Sequence, residues 1–145
     1  MSDFFSRVME IKREGNLEEL GRVIPYASFI KIGYERDGEG LIVVLNKSED
    51  NVGNSHLLAL HGGVVGALLE QAGIMQVIWE CELTRFPKII NLSVDYLRPS
   101  LGARDTRARA SLIKQGRSVT NVRVTAWQSD PDKLVAAANM HLLMR

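Results

Sequence analysis

The sequence predicts an α+β fold in which a curved antiparallel β-sheet wraps one long apolar helix. The first observation is the run Leu57–Trp79, LLALHGGVVGALLEQAGIMQVIW, the longest apolar stretch, which carries one formal charge, at Glu70. The second is that four later segments alternate apolar and polar residues, as strands do, and are joined by short turns, which implies antiparallel neighbours. The third is that a half-apolar sheet must cover one face, and this run is the element apolar enough to do so.

The segments before the central run predict short helices and a hairpin. Ser2–Lys12 has its apolar residues on one side of a helix, and LEELGRVI predicts a second short helix. Ala27–Glu35 and Gly40–Leu45 predict two strands, with RDGEG as the turn between them. The polar segment Asn46–Ser55 is then expected to be a loop that leads into the central run.

The segments after the central run predict four long strands. They are Lys88–Leu97, Thr106–Lys114, Arg117–Trp127 and Leu134–Met144. With the hairpin they make a sheet of about six strands. A chain of 145 residues suits one domain with a substantial core, so we expect a single domain over residues 1–145.

Composition excludes several classes of function. The formal net charge of +1 argues against a nucleic-acid-binding protein. One cysteine, Cys81, fits a reducing compartment, and the N-terminus lacks the pattern of a signal peptide, so a cytoplasmic location is expected. The central run is long enough to span a membrane, but an acid at the centre of a span costs at least roughly 2.5 kcal/mol. A buried helix is therefore expected, with no membrane partner. The sequence predicts no metal and no cofactor, since the histidines lack ligand spacing and no phosphate-binding glycine motif is present.

The central helix has two predicted faces. One is apolar and comprises Val64, Leu68, Ala72, Met75 and Trp79. The other places Glu70 among small residues: Gly63, Gly66, Ala67, Gly73 and Val77. Glycine inside a helix costs roughly 1 kcal/mol relative to alanine, so something is expected to approach this face closely. One interpretation is close helix packing with Glu70 paired to an arginine or to water, and the other is a slot in which Glu70 faces a substrate.

The start of the helix favours the second interpretation. His61-Gly62-Gly63 gives a flexible entry whose backbone N–H groups are unpaired and carry partial positive charge. Such groups can polarise a carbonyl or hold an oxyanion. A polarised carbonyl with the Glu70 carboxylate two helical turns further on suits attack on an ester or thioester.

Three motifs resemble a known family. LHGGVVGALLE, INLSVDYLRP and KQGRSVTNVRV, in this order, resemble the hotdog-fold acyl-CoA thioesterases of the phenylacetic-acid-degradation (PaaI-like) type, over roughly Asn51 to the last residue. The resemblance implies a long helix wrapped by a curved antiparallel sheet. It also implies a homodimer, or a dimer of dimers, with an acyl-CoA site at the dimer interface.

The resemblance assigns roles by position. Glu70, nine residues after the motif histidine, would be the nucleophile or the general base, and Gly62 would supply an oxyanion N–H. His61 would shape the helix entry, with Gly63 against the substrate. Asn54 is the candidate for the asparagine that often precedes the motif, and where many members have glycine three residues before the histidine this chain has Leu58.

Further positions are candidates for substrate contact. Many members carry a Ser or Thr where this chain has Lys88 or Ile89. Between residues 98 and 123 there are seven basic residues and one acid, and Arg98 and Arg117 flank turns of the motifs. Guanidinium groups suit phosphate oxygens, so these two arginines are candidates for the CoA phosphates, although solvated strand faces would give the same pattern.

The sequence therefore predicts hydrolysis of a small, medium-chain or aromatic acyl-CoA. The main alternative is a non-catalytic acyl-CoA or lipid-binding protein on the same fold. A hotdog hydratase or dehydratase is a third possibility, but it usually pairs a histidine with an acid, and His61 followed by two glycines does not match that pattern.

Overall fold

The computed structural model describes residues 2–38, 40–81 and 83–145. The helices are α1 Ser2–Glu14, α2 Leu17–Leu20, α3 Pro25–Phe29 and α4 Gly62–Glu80, with a 3₁₀ turn at Glu49–Asn51. The strands are β1 Ile32–Asp37, β2 Gly40–Leu45, β3 Val52–Asn54, β4 Ala59–Leu60, β5 Lys88–Tyr96, β6 Thr106–Gln115, β7 Val119–Trp127 and β8 Leu134–Leu143. Six of them form one antiparallel sheet in the order β1-β2-β6-β7-β8-β5, and β3 pairs with β4. The predicted α+β class, the six-stranded sheet and the long central helix are confirmed.

The core lies between α4 and the sheet. All five residues of the predicted apolar face of α4 are buried, and the strands contribute Val122, Val124, Ala138 and Met140. Gly73 also belongs to this packed side, because a β-carbon added there would lie 2.7 Å from Met140 Cε. The small-residue face is therefore shorter than predicted. Gly73 and Val77 are buried, while Gly63, Gly66, Ala67 and Glu70 retain exposure.

Helix α1 covers the C-terminal end of α4. Lys12 Nζ donates to the Trp79 carbonyl oxygen at 2.6 Å and lies 5.3 Å from the centre of the Trp79 ring. Near the other end of α1, the rings of Phe4 and Phe86 are 5.3 Å apart. A cation near the last carbonyls of a helix is stabilising, so α1 is held by charge as well as by apolar contact.

Two predicted boundaries in the first third were wrong. The strand expected from Ala27 begins at Ile32, because Pro25 starts α3 at the helical position that best tolerates proline. The second predicted helix is shorter, ending at Leu20. Part of the expected loop Asn46–Ser55 forms the 3₁₀ turn and β3.

Among the described residues, α4 alone has the length and apolar composition that could cross a membrane. Two thirds (67%) of its most apolar window is buried inside the protein. That burial is what the core helix of a wrapped sheet requires.

Candidate active site

The entry to α4 is held by His61. His61 is the N-cap, with φ −60° and ψ 131°, and its Nδ1 accepts a hydrogen bond from Gly63 N at 2.9 Å. Its own backbone N–H donates to the Asn51 carbonyl oxygen at 2.8 Å. The chain at Gly53 passes so near that a β-carbon there would lie 2.6 Å from His61 Cα. The start of the helix is therefore fixed by contacts on several sides.

One N–H group of the first helical turn has no acceptor among the residues that the structure describes. Val64 N and Val65 N donate to the His61 carbonyl oxygen at 3.0 and 3.3 Å, and Gly63 N is bound to the His61 ring. Gly62 N has no acceptor among the described residues. At the positive end of a helix, this N–H is the group available to polarise a carbonyl.

Tyr96 completes this turn, and sequence reasoning did not select it. Tyr96 is the last residue of β5, and its hydroxyl donates a hydrogen bond to the Gly62 carbonyl oxygen at 2.8 Å. The Gly62–Gly63 peptide is thus held at both its oxygen and its nitrogen. The tyrosine of the L-x-V-x-Y-L-R-P motif shares the alternating face of Leu92 and Val94, which was the one indication that it would point toward the helix.

The rest of that motif builds a wall beside the helix entry. Ser100 O accepts from Leu60 N at 2.8 Å, and Arg98 Nη1 donates to the Leu134 carbonyl oxygen at 2.7 Å. A cavity of about 290 Å³ lies here, lined by Ala59, Leu60, Gly62, Val65, Tyr96, Leu97, Arg98, Pro99 and Ser100. It places a ligand-sized space next to the unpaired N–H.

Glu70 lies on the partly exposed stripe of α4. Its carboxylate has no hydrogen bond or ion pair with any residue that the structure describes. Burial raises the pKa of Glu70 above its usual value. An unpaired carboxylate with a raised pKa is the kind of group that serves as a base or nucleophile.

Glu70 and Gly62 do not meet within one chain. They are eight residues apart on α4, which places them about 12 Å apart along the helix. A nucleophile must come within about 3–3.5 Å of the carbonyl carbon it attacks. Within one chain, the Gly62 N–H and the Glu70 carboxylate therefore cannot act on the same carbonyl group.

The other candidate positions are divided between the two ends of the sheet. Lys88 and Val119 are both in register with Leu143, so Lys88, Ile89 and the turn containing Arg117 share one end. Arg98 lies at the opposite end, since its backbone N–H bonds to Val135 O. The length of β8 from Val135 to Leu143 is about 27 Å, so Arg98 and Arg117 of one chain cannot contact the same phosphate group.

Comparisons with known proteins identify the family and the fold. The sequence profile described as "Acyl-CoA thioesterase N-terminal domain" matches residues 53–141. The chain belongs to the acyl-CoA thioesterase family. The fold and motifs place it with the PaaI-like hotdog thioesterases. A search of curated proteins finds no significant sequence match.

Solved structures support the same thioesterase fold. A protein from Chromobacterium violaceum is 30% identical, with 97% of each chain covered and a TM-score of 0.79. A phenylacetic acid degradation-related protein from Ralstonia eutropha is 27% identical, covering 83% of this chain and 90% of its own, with a TM-score of 0.73. A variant of the phenylacetic acid degradation protein PaaI from Thermus thermophilus is 20% identical, covering 84% of this chain and 100% of its own, with a TM-score of 0.71.

The loop before the helix departs from the pattern that the resemblance implies. Leu58, where that pattern has glycine, has φ 52°, a left-handed conformation that glycine adopts without strain. The Asn54 side-chain oxygen accepts from His56 N and Leu57 N at 3.1 and 3.0 Å. Asn54 therefore stabilises its own loop with the oxygen that could otherwise accept a hydrogen bond from a water or a substrate.

Metal chemistry has no ligand set in the described part of the chain, where no three His, Cys, Asp or Glu side chains come together. Cys81 is buried, and this burial raises the pKa of its thiol, which opposes a role as nucleophile. Membership of the family supports thioester hydrolysis as the general class of activity.

Proposed function

We propose that this protein is a homodimeric acyl-CoA thioesterase. The thioester carbonyl oxygen accepts a hydrogen bond from Gly62 N of one subunit, and Glu70 of the partner subunit acts on the carbonyl carbon. The observation that carries this proposal is the Gly62 N–H, which is the first-turn donor without an acceptor among the described residues and belongs to a turn held by His61 and Tyr96. Preorganised donors of this kind favour the oxyanion of the transition state.

The distance between the two groups supports a second subunit. A carbonyl held at Gly62 is about two helical turns from Glu70 of the same chain, which is out of reach. Two antiparallel copies of α4 that meet along the small residues Gly63, Gly66 and Ala67 would bring each Glu70 toward the other helix entry. Small residues allow such close approach of helices. This packing would account for Gly63 and Gly66, which retain exposure, whereas Gly73 is buried.

The edge of the sheet supports the same arrangement. β5 pairs only with β8, so the other edge of this nine-residue strand is unpaired among the described residues. Ile90 on this strand is 56% exposed. Proteins rarely leave a long edge strand open, and pairing with β5 of a second copy about a two-fold axis would close it. We further propose that two such dimers associate, which light scattering would report as four chains.

The chemistry follows from the environment of Glu70. Its raised pKa makes the ionised carboxylate a stronger base than an exposed glutamate. The carboxylate either attacks the carbonyl carbon directly or takes a proton from an attacking water. In both routes the C–S bond breaks, the thiolate leaves and is protonated, and one water is consumed to give the free acid and CoA.

Thiol release tests the proposal. Wild-type protein is given a panel of acyl-CoA esters that differ in chain length and aromaticity, and free thiol is measured. We expect turnover with small, medium-chain or aromatic esters and none with Glu70→Gln. The control is Glu14→Gln, which neutralises an exposed acid on α1. Undiminished turnover in Glu70→Gln would remove Glu70 from the mechanism.

A non-catalytic acyl-CoA-binding protein is the second candidate. The engaged side-chain oxygen of Asn54 favours it, because that oxygen is already bonded within its own loop. Lys88 and Ile89 also lack the hydroxyl that many members carry. Tight binding of an acyl-CoA without thiol release would support this candidate over hydrolysis.

A further inference from the structure

A second cavity lies at the end of the sheet where β5 begins. It has a volume of about 420 Å³ and is lined by Thr84, Arg85, Phe86, Lys88 and Arg145, and we call it the basic cavity. Arg85, Lys88 and Arg145 are exposed, and Phe86 gives the cavity a half-buried aromatic wall. Three cations around one concave space are suited to an anion of more than one charge.

Among the described residues, no acidic side chain pairs with these cations. The turn that carries Arg117 lies beside the basic cavity, since Met144 N donates to Ser118 O at 2.8 Å. Residues 83–88, 114–119 and 143–145 carry no acidic side chain. Helix α1 brings Asp3 to this end, because the neighbouring residue Phe4 contacts Phe86. Asp3 forms no ion pair with a described residue.

Another polar cavity of the protein is different in this respect. In the cavity lined by Asp37, Gln76, Glu80 and Arg109, the arginine is paired with Asp37 at 2.5 Å. Its cation is already satisfied within the chain. The basic cavity instead presents cations with donor capacity left for a ligand.

We propose that the basic cavity binds the phosphate groups of the CoA nucleotide of a substrate whose thioester lies at the helix entry of the other subunit. This proposal rests on the proposed function and on its antiparallel pairing of β5 edges. Such pairing sets Lys88 of one subunit near Tyr96 of its neighbour, because these residues are the two ends of β5. It therefore brings the basic cavity to the cavity beside Gly62, and places Arg98 of one chain on the same side as the partner subunit's Arg117.

The test compares substrates with and without the nucleotide. Steady-state kinetics are measured for one acyl group carried on CoA, on 3′-dephospho-CoA and on pantetheine, with wild type and with the double variant Arg85→Ala, Arg145→Ala. Both side chains are exposed, so the fold should be retained. The matched control is Arg123→Ala with Lys133→Ala, which removes two exposed cations elsewhere.

We expect KM for the acyl-CoA to rise about 10- to 100-fold in the double variant with kcat retained, because removing each of two exposed charge-assisted contacts weakens binding by roughly three- to tenfold. KM for the acyl-pantetheine should not change. The increase in KM for the 3′-dephospho-CoA ester should lie between those for the acyl-pantetheine and the acyl-CoA. Raising the salt concentration should raise KM for acyl-CoA alone. An equal KM change for all three substrates, or none for acyl-CoA, would overturn the proposal while leaving hydrolysis intact.

Binding separates this proposal from hydrolysis. If wild type releases no thiol from any ester, the proposed function fails, and titration calorimetry with CoA, pantetheine and inorganic phosphate then tests the basic cavity alone. Wild-type binding of CoA that is lost in the double variant and kept in the control would support it. Absence of CoA binding, or equal binding by both variants, would overturn it. Binding of inorganic phosphate as tight as that of CoA would assign the site to phosphate itself and overturn the nucleotide assignment.

Discussion

Replacing Gly62 by proline removes the proposed oxyanion donor and leaves the fold in place. Gly62 is the first residue of α4, a position that proline favours because its φ fits and its missing N–H is not used by the helix. The residue before a proline must be extended, and His61 already is, at φ −60° and ψ 131°. A β-carbon at residue 62 would lie 3.6 Å from the Tyr96 ring, an ordinary van der Waals distance.

The expected effect is on catalysis. Removing one oxyanion donor costs about 10²- to 10³-fold in kcat, or about 2.7–4 kcal/mol of transition-state stabilisation. The assay is kcat for thiol release together with a thermal melt. Gly62→Ala is the control, since it adds the same β-carbon and keeps the N–H, and it should retain most of kcat. A proline variant that melts like wild type and turns over at the wild-type rate would refute the role of Gly62 N–H.

Three further predictions concern stability and follow from single contacts. Gly73→Ala should lower the free energy of unfolding by about 1–2 kcal/mol, because crowding of the buried Met140 outweighs the gain of about 1 kcal/mol in helix propensity. Denaturant unfolding measures this change, and a more stable variant would contradict the prediction. Glu70→Gln should raise the melting temperature at pH 7 but not at pH 4. Burial raises the pKa of Glu70, so the unfolded chain ionises first and the wild type loses stability as pH rises; an equal difference at both pH values would contradict this. Lys12→Ala should cost about 1 kcal/mol and lower the melting temperature by roughly 3–5 °C, because the last turn of α4 loses its cation, and an unchanged melt would show that the contact is not stabilising.

The sequence predicted the fold well where periodicity was strong. The alternating apolar residues from Lys88 onward predicted strands, and the apolar face of α4 predicted a helix packed against them. The structure confirms both predictions. The prediction failed at Ala27, where a short apolar segment after Pro25 has no clear period and forms α3 before the strand. Local apolarity alone does not distinguish a single helical turn from the start of a strand.

The site was less accessible to sequence reasoning because it depends on contacts between distant segments. Tyr96 was visible only as one member of an alternating strand, and its bond to Gly62 depends on where β5 ends relative to α4. Gly66 and Gly73 lie on the same predicted face of α4, yet Gly73 packs against the sheet and Gly66 retains exposure. The spacing of Gly62 and Glu70 suggested one site, whereas the rise of the helix separates them by about 12 Å.

Subunit mixing tests most directly the claim that the site is shared between two chains. Gly62→Pro and Glu70→Gln proteins, each inactive alone, are unfolded together and refolded in equal amounts, with each variant refolded alone as the control. A shared site predicts that a mixed dimer has one intact site, formed by Gly62 of one chain and Glu70 of the other, so random pairing restores about a quarter of the wild-type specific activity. No activity above that of the separate variants, in a mixture shown to contain mixed dimers, would contradict the account.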